Sequence, residues 1–352
     1  MSKYWSKLAK KVEPYVPGEQ PQDKKYIKLN TNENPYPPSP KVMKAIKQAT
    51  NEDLKLYPDP TCEELKATLA DYYGLKKSQV FVGNGSDEVL ALLFMAFFDA
   101  DDSILLPEIT YSFYPVYANL FNINYNLVQL DKDFSLSLDG FSEPNEGIIL
   151  PNPNAPTGKY LSLEFIEEIL KKNIDEVVII DEAYIDFGGE SAVKLIDKYP
   201  NLLVVQTLSK SRALAGLRVG FVFGQEDLME GLDRIKNSFN SYTLDRLALV
   251  GAKEAIKDEE YFQETRSKII KTRERVSEEL RKIGFKVIES KANFIFVSHL
   301  RVQAENLFNQ LKEKGILVRY FNQPRIENFL RVSIGTDEEM DLLIKTLKEI
   351  IE

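Results

Sequence analysis

Three short stretches of this chain gather residue types that can do chemistry together. Thr207-Leu208-Ser209-Lys210-Ser211-Arg212 sets an amine just past an apolar run, and Gly216-Leu217-Arg218-Val219-Gly220 follows it. A lysine amine is the side chain that condenses with a carbonyl to form a Schiff base. Ser209 and Arg218 are donors suited to a phosphate, Arg218 through a planar fork of N–H groups. Upstream, Val177-Val178-Ile179-Ile180 runs into Asp181-Glu182-Ala183-Tyr184. An ionised Asp181 at the end of a buried strand needs a cation or hydrogen bonds to offset its desolvation. Further upstream, Gly83-Asn84-Gly85 precedes Ser86-Asp87-Glu88 at a helix start. There the glycines let an anion approach the backbone, and free N–H groups and the helix dipole favour it.

Each stretch has an ordinary reading when taken singly. The glycine turn can be a tight strand–helix link with Ser86 or Asp87 as N-cap. Asp181 can cap the next helix, and Lys210 can be a solvated loop lysine. Together, in this order, they argue for one anion site that also holds an amine and an acid. It is not a dinucleotide fingerprint, because Glu88 stands where the third glycine belongs.

The elements that must position these residues alternate. Strands are predicted at Gln79–Val82, Ser103–Leu106, Ile123–Leu130, Gly147–Leu150, Val177–Ile180, Leu202–Thr207 and Arg218–Gly224, with helices such as Ser86–Phe98 and Leu163–Lys172 between several of them. Continuous apolar runs are the mark of strands buried on both faces, so the pattern predicts an α/β layer with a mostly parallel sheet. In such sheets ligands sit at the carboxyl ends of the strands. A long charged helix is expected over Asp258–Ile283. An α+β unit follows it, with strands at Phe285–Ile288, Phe294–Ser298, Ile316–Arg319 and Phe329–Ile334 and helices at Val302–Lys314 and Asp337–Ile351. The expected division is an N-terminal arm over 1–30, a large domain over 31–250 and a smaller C-terminal one over 251–352 that packs with the arm.

The chain has 352 residues, a formal charge of -9, one cysteine (Cys62) and one histidine (His299). An acidic chain without a basic patch is not built to bind nucleic acid. A single cysteine allows no internal disulfide and fits a reducing cytoplasm. The most apolar run, Val89–Phe98, is about half the length a membrane-spanning helix needs. One histidine leaves little for a zinc site or a Ser-His-Asp triad, so no metal is expected and His299 reads as structural.

Put together with Asn152-Pro153-Asn154-Ala155-Pro156-Thr157-Gly158, these stretches resemble the fold-type I aminotransferases that depend on pyridoxal 5'-phosphate (PLP). Leu29-Asn30-Thr31-Asn32-Glu33-Asn34-Pro35, Tyr57-Pro58-Asp59 and Leu330-Arg331-Val332-Ser333-Ile334-Gly335 resemble the subgroup acting on histidinol phosphate. The resemblance covers nearly the whole chain. It implies that Lys210 forms the Schiff base and moves the proton, that Asp181 keeps the pyridine nitrogen protonated, and that Tyr184 bonds the ring oxygen. Tyr111 would stack on the ring. Gly85, Ser86, Asp87, Ser209 and Arg218 would hold the phosphate, and Tyr57 would reach the cofactor of a second subunit in a homodimer. The family often has asparagine where this chain has Ala155, so that ring-oxygen contact is lost unless Asn154 or Tyr184 supplies it.

On the substrate side, Arg331 alternates with Leu330 and Val332 and so faces away from their apolar side. With Arg319 it is expected to clamp the substrate phosphate and, in the other half-reaction, 2-oxoglutarate or glutamate. Tyr15 and Asn32 are further substrate candidates. The implied activity is amino transfer between histidinol phosphate and 2-oxoglutarate. The alternatives are an aromatic amino-acid aminotransferase, a decarboxylase of an amino-acid phosphate on this scaffold, and an inactive regulatory module of the same fold.

Overall fold

The computed structural model describes residues 2–352. Its first strand, β1 (Ile27–Lys28), is followed by β2 (Val80–Asn84), β3 (Ser103–Pro107), β4 (Asn124–Val128), β5 (Gly147–Pro151), β6 (Val177–Asp181), β7 (Leu202–Thr207) and β8 (Val219–Phe223). From β2 onward these form a seven-stranded sheet in the order β2-β8-β7-β6-β5-β3-β4. All its strands run parallel except β8, which is antiparallel to both neighbours, β2 and β7. Strands β5 and β7 are buried along their whole length. That is the reason their sequences read as unbroken apolar runs and the sheet could be expected from them. Helices cover both faces, among them Gly85–Phe97, Phe113–Phe121, Leu163–Lys172 and Arg246–Lys257.

The reversed strand matters for the site. Because β8 runs backwards, its first residue, Val219, pairs with Asn84 at the end of β2, and Gly220 pairs with Thr207 at the end of β7. Residues 208–218 therefore leave and rejoin the sheet at the edge where β6 delivers Asp181.

The rest of the chain supplies a four-stranded antiparallel sheet from β9 (Phe285–Ile288), β10 (Phe294–His299), β12 (Arg319–Tyr320) and β13 (Leu330–Ser333), in the order β12-β13-β10-β9. The 24-residue helix Glu259–Lys282 precedes it, and the helices Ala304–Glu313 and Asp337–Ile351 accompany it. One expected strand divides. Ile316–Arg319 is not a single element: β11 (Ile316–Leu317) pairs in parallel with β1, whereas Arg319 and Tyr320 pair with β13. The run Ile316-Leu317-Val318 is apolar throughout, so nothing in its composition marks the change of partner. Two helices, Glu226–Phe239 and Arg246–Lys257, fill a stretch where no element was expected. His299 is buried, and its Nδ1 accepts from the amides of Arg301 and Val302, a structural role. Among the described residues no helix is long and apolar enough to cross a membrane.

Candidate active site

A cavity of about 350 Å³ opens at the carboxyl edge of the large sheet. Its lining includes Lys210, Asp181, Tyr184, Ser86, Asp87, Ser209, Arg218 and Tyr111, together with Tyr15, Asn32, Arg319 and Arg331 from outside that sheet. The fold thus brings most of the sequence-predicted residues to one space.

Asp181 ends β6, and its carboxylate is almost wholly buried. The Tyr114 hydroxyl donates to Oδ2 at 2.8 Å and the Ala183 amide to Oδ1 at 3.1 Å. Burial pushes its pKa up to about 6, against the pull of these donors. A carboxylate whose ionised form is penalised by burial gains from a cationic N–H donor in the adjoining space. Lys210 Nζ lies across the same cavity, donating to the Thr31 carbonyl at 3.3 Å. Its backbone is fixed from the other side, where Asn34 Nδ2 donates to the Lys210 carbonyl at 2.9 Å. Glu182, next to Asp181, turns away and accepts from Ser191, Ala192 and Gln206, so it braces the loop and takes no part in the cavity.

The corner where Ser86 and Arg218 meet, which could cradle an anion, is built by two close approaches. The helix Gly85–Phe97 begins at β2's end with Gly85 at φ +77°, where a Cβ would come within 2.5 Å of an Arg218 guanidinium nitrogen. A Cβ on Gly220 would collide with the Ser86 amide nitrogen and the Gly85 carbonyl. Both glycines let β8 press its first residues against a helix N-terminus. Arg218 itself has φ +55°, a conformation costing about 1–2 kcal/mol for a residue with a side chain. Its guanidinium is held by Asp87 Oδ2 at 2.9 Å, and Asp87 Oδ1 accepts from Tyr111 at 3.0 Å. Ser209 is tied to the Thr207 hydroxyl at 3.0 Å. Gly220→Ala is expected to destabilise the protein by about 1–3 kcal/mol, because the strand or the helix must move. Denaturant unfolding of the cofactor-free protein measures it, and an unchanged midpoint would disprove the tight approach.

A second group of cations comes from the small sheet. Arg319 and Arg331 sit directly opposite one another across the β12–β13 pair. Both stack toward Phe321, at 5.6 and 5.7 Å from its ring centre, and Arg331 also lies 5.4 Å from that of Phe294. Arg331 NH2 donates to the Asn30 carbonyl at 2.9 Å, while its Nε is buried with no partner among the described residues. Burial, with Arg319 adding to it, lowers the Arg331 pKa. Like charges directly opposed on a sheet repel, and an anion between or beside them would relieve that repulsion.

Some expectations are placed elsewhere. Asn154 does not line this cavity. Its amide donates to the Ile109 carbonyl and the Thr157 hydroxyl, and it borders a neighbouring cavity of about 220 Å³. Ala155, with no donor, is the residue that faces the main space. Gly85 shapes the cradle from beneath without lining it. Tyr57 is 78% exposed and stacks on Tyr242 at 4.7 Å. Tyr114 was not among the candidates. Its only sequence signal is the spacing Tyr111, Tyr114, Tyr117, which on a helix would put three phenols on one face, although the helix begins at Phe113 and Tyr111 precedes it. In the structure all three hydroxyls reach Asp87 or Asp181.

Comparison with known proteins agrees with this geometry. Residues 24–347 match the family described as aminotransferase class I and II. The chain is 65% identical over 351 residues to histidinol-phosphate aminotransferase of Clostridium acetobutylicum, covering 100% of both. It is 60% identical to the protein of that name from Clostridium botulinum (strain Okra), covering 100% of this chain and 99% of the relative. Among solved structures, histidinol-phosphate aminotransferase from Sinorhizobium meliloti in complex with pyridoxal-5'-phosphate has a TM-score of 0.91 at 25% identity, covering 100% of this chain and 98% of that one. An amine, a buried acid and two arginine groups gathered at one sheet edge, in a sequence matched along its length by these relatives, mean that the chain belongs to the class I and II aminotransferase family.

Proposed function

We propose that this protein is a PLP-dependent aminotransferase that exchanges an amino group between L-histidinol phosphate and 2-oxoglutarate, yielding imidazole acetol phosphate and glutamate in histidine biosynthesis. One observation carries the reading. A cavity that already holds an anion cradle at Arg218 also holds a second, opposed arginine pair with a buried, unpartnered Nε. Two anions are thereby provided for, one on a cofactor and one on a substrate. The relatives compared above are named histidinol-phosphate aminotransferase.

The residues fit pyridoxal phosphate. Asp181, desolvated and still open to the cavity, suits a ring N–H⁺. The helix N-terminus at Gly85, Ser86 and Asp87, with Ser209 and Arg218, suits a phosphate. Tyr111 would lie on the ring face and Tyr184 would donate to the ring oxygen. When bound, the cofactor supplies a carbonyl for the amine and a ring that draws electrons from the substrate carbon. Lys210 would hold the cofactor, and its Nζ would carry the proton removed from substrate. Asp181 would keep a proton on the ring nitrogen. Arg319 and Arg331 would bind the substrate phosphate or the second carboxylate of glutamate, with Tyr15 covering them. Tyr15 stacks on Phe113 at 4.4 Å, which gives that cover a firm seat.

The same reading includes a cytoplasmic homodimer of chains divided at about residues 30 and 250. Tyr57 crosses to the second subunit's phosphate cradle. The exposure of Leu54, Leu56, Tyr57 and Phe239 supports a surface kept for a second copy.

The test is to mix cofactor-loaded protein with single amino donors. Histidinol phosphate is expected to bleach the cofactor band, and phenylalanine is not. The reverse pattern would replace this reading with an aromatic aminotransferase. Arg319→Ala is expected to raise the KM for histidinol phosphate roughly 10- to 150-fold, the worth of a charged hydrogen bond, with a smaller change in kcat.

A further inference from the structure

We infer that Asn32 is a positioning residue that aims the Tyr184 hydroxyl into the cavity, so that Tyr184 supplies the hydrogen bond Ala155 cannot. The inference rests on the proposed cofactor site and assigns Asn32 a role other than direct substrate contact.

Asn32 is 1% exposed and has φ +56°, a conformation asparagine tolerates better than most residues. It joins four segments. Its amide N–H donates to Ser333 Oγ at 2.9 Å, and its carbonyl accepts from Asn293 Nδ2 at 3.0 Å. Ser333 Oγ lies 2.9 Å from Asn32 Oδ1, and Asn32 Nδ2 lies 3.0 Å from Tyr184 Oη. These contacts fix which way protons point. The Asn32 side-chain oxygen that faces Ser333 can only accept, so the Ser333 hydroxyl gives it its single proton while accepting from the Asn32 backbone. The side-chain amide is thereby oriented, and its N–H₂ faces Tyr184. Tyr184 Oη is an acceptor toward Asn32, and its own proton is directed away from that amide.

What lies in the other direction is the cavity that Tyr184, Ala155 and Lys210 line. The Tyr184 ring cannot easily swing out of this alignment, since it packs edge-on against Phe294 at 5.0 Å. Asn154 offers no competing donor, because its side-chain N–H groups go to Ile109 and Thr157. Ser333 lies two residues from Arg331 on β13, so both point to the same side of that strand. The strand carrying one arginine of the proposed substrate clamp thus also sets the direction of a hydroxyl at the proposed cofactor.

A double-mutant cycle with Tyr184 tests this. Asn32→Asp keeps shape and backbone preference but presents an acceptor, which recruits the Tyr184 proton away from the cavity. In absorbance titrations of cofactor-free protein with PLP, Asn32→Asp and Tyr184→Phe are each expected to raise the dissociation constant roughly tenfold, the scale of one hydrogen bond. In the Tyr184→Phe background, Asn32→Asp is expected to add less than about twofold. The pH at which the bound cofactor changes colour should shift in both single variants and move no further in the double. Should Asn32→Asp fail to fold, Asn32→Gly also suits a positive φ, removes the donor, and serves in the same cycle.

Equal loss of affinity in both backgrounds would make Asn32 merely structural and overturn the inference. So would an unchanged affinity in Asn32→Asp when Tyr184→Phe loses it. Failure of the parent protein to bind PLP at all is a different result, which removes the cofactor reading and this inference with it.

Discussion

Lys210→Ala protein should exchange amino groups roughly 10⁴-fold more slowly than its parent, the upper range for losing a positioned acid–base group. Single-turnover measurement with histidinol phosphate reads this directly. The fold should survive, since Lys210 is only half-buried and its side chain makes one long hydrogen bond, to Thr31 at 3.3 Å. Melting is therefore expected to change by less than about 1 kcal/mol. Borohydride reduction of parent protein with PLP should mark the peptide containing Lys210 and mark nothing in the variant. A variant that still turns over, or a label on another lysine, would remove the amine from the centre of the reaction.

Asp181→Asn should separate stability from activity. The folded environment raises this carboxyl from 3.8 to about 6, chiefly by burial. For an acid with a raised folded pKa, the stabilising contribution is complete below the unfolded value and is lost as pH rises through the folded one. Above about pH 6 the cofactor-free parent therefore carries an ionised, buried carboxylate at a cost of about 3 kcal/mol, taking 1.36 kcal/mol per pKa unit. Asparagine cannot ionise. Cofactor-free Asp181→Asn is expected to melt above the parent at pH 8 and level with it at pH 4. Its transamination rate should nonetheless fall about 10²–10³-fold, the range for removing one electrostatic partner of a reaction. Adding PLP should stabilise the parent more than the variant. Equal melting at pH 8 and pH 4 would show that Asp181 is not desolvated in the empty cavity.

The large sheet and the acid–amine pair could be read from the sequence for a physical reason. A strand buried on both faces has no polar face to interrupt it, so β5, β6 and β7 announce themselves, and residues at their ends are marked as edge residues. Arg218 was legible as an arginine flanked by glycines, and the structure gives one of them, Gly220, its reason, since backbone this close to a helix start tolerates no Cβ there. What stayed hidden depends on partners distant in the chain. The split at Val318 is decided by β1, nearly the whole chain away. Tyr114 looks like any core tyrosine until the fold places Asp181 against it. Asn154 stands in the proline turn beside Ala155, and only the backbone path shows that it faces a different cavity. Asn32, expected at the substrate, lines the cavity and also bonds Ser333, Asn293 and Tyr184, partners that only the fold brings to it.

The one reversed strand of the large sheet has a consequence for how the molecule can be re-engineered. Had β8 run with its neighbours, the chain between Thr207 and Val219 would have had to cross the whole layer. Instead it makes a short excursion along one rim, and Lys210 and Arg218 ride on a single span of fixed length. Lengthening or trimming that span by even one residue slides the amine against the phosphate cradle. The opposite rim, where exposed Pro200 precedes β7 and exposed Glu226 and Asp227 follow β8, bears none of this machinery. Affinity tags, fused reporter domains or new chain termini are better placed there, where the sheet itself insulates the chemistry from the graft.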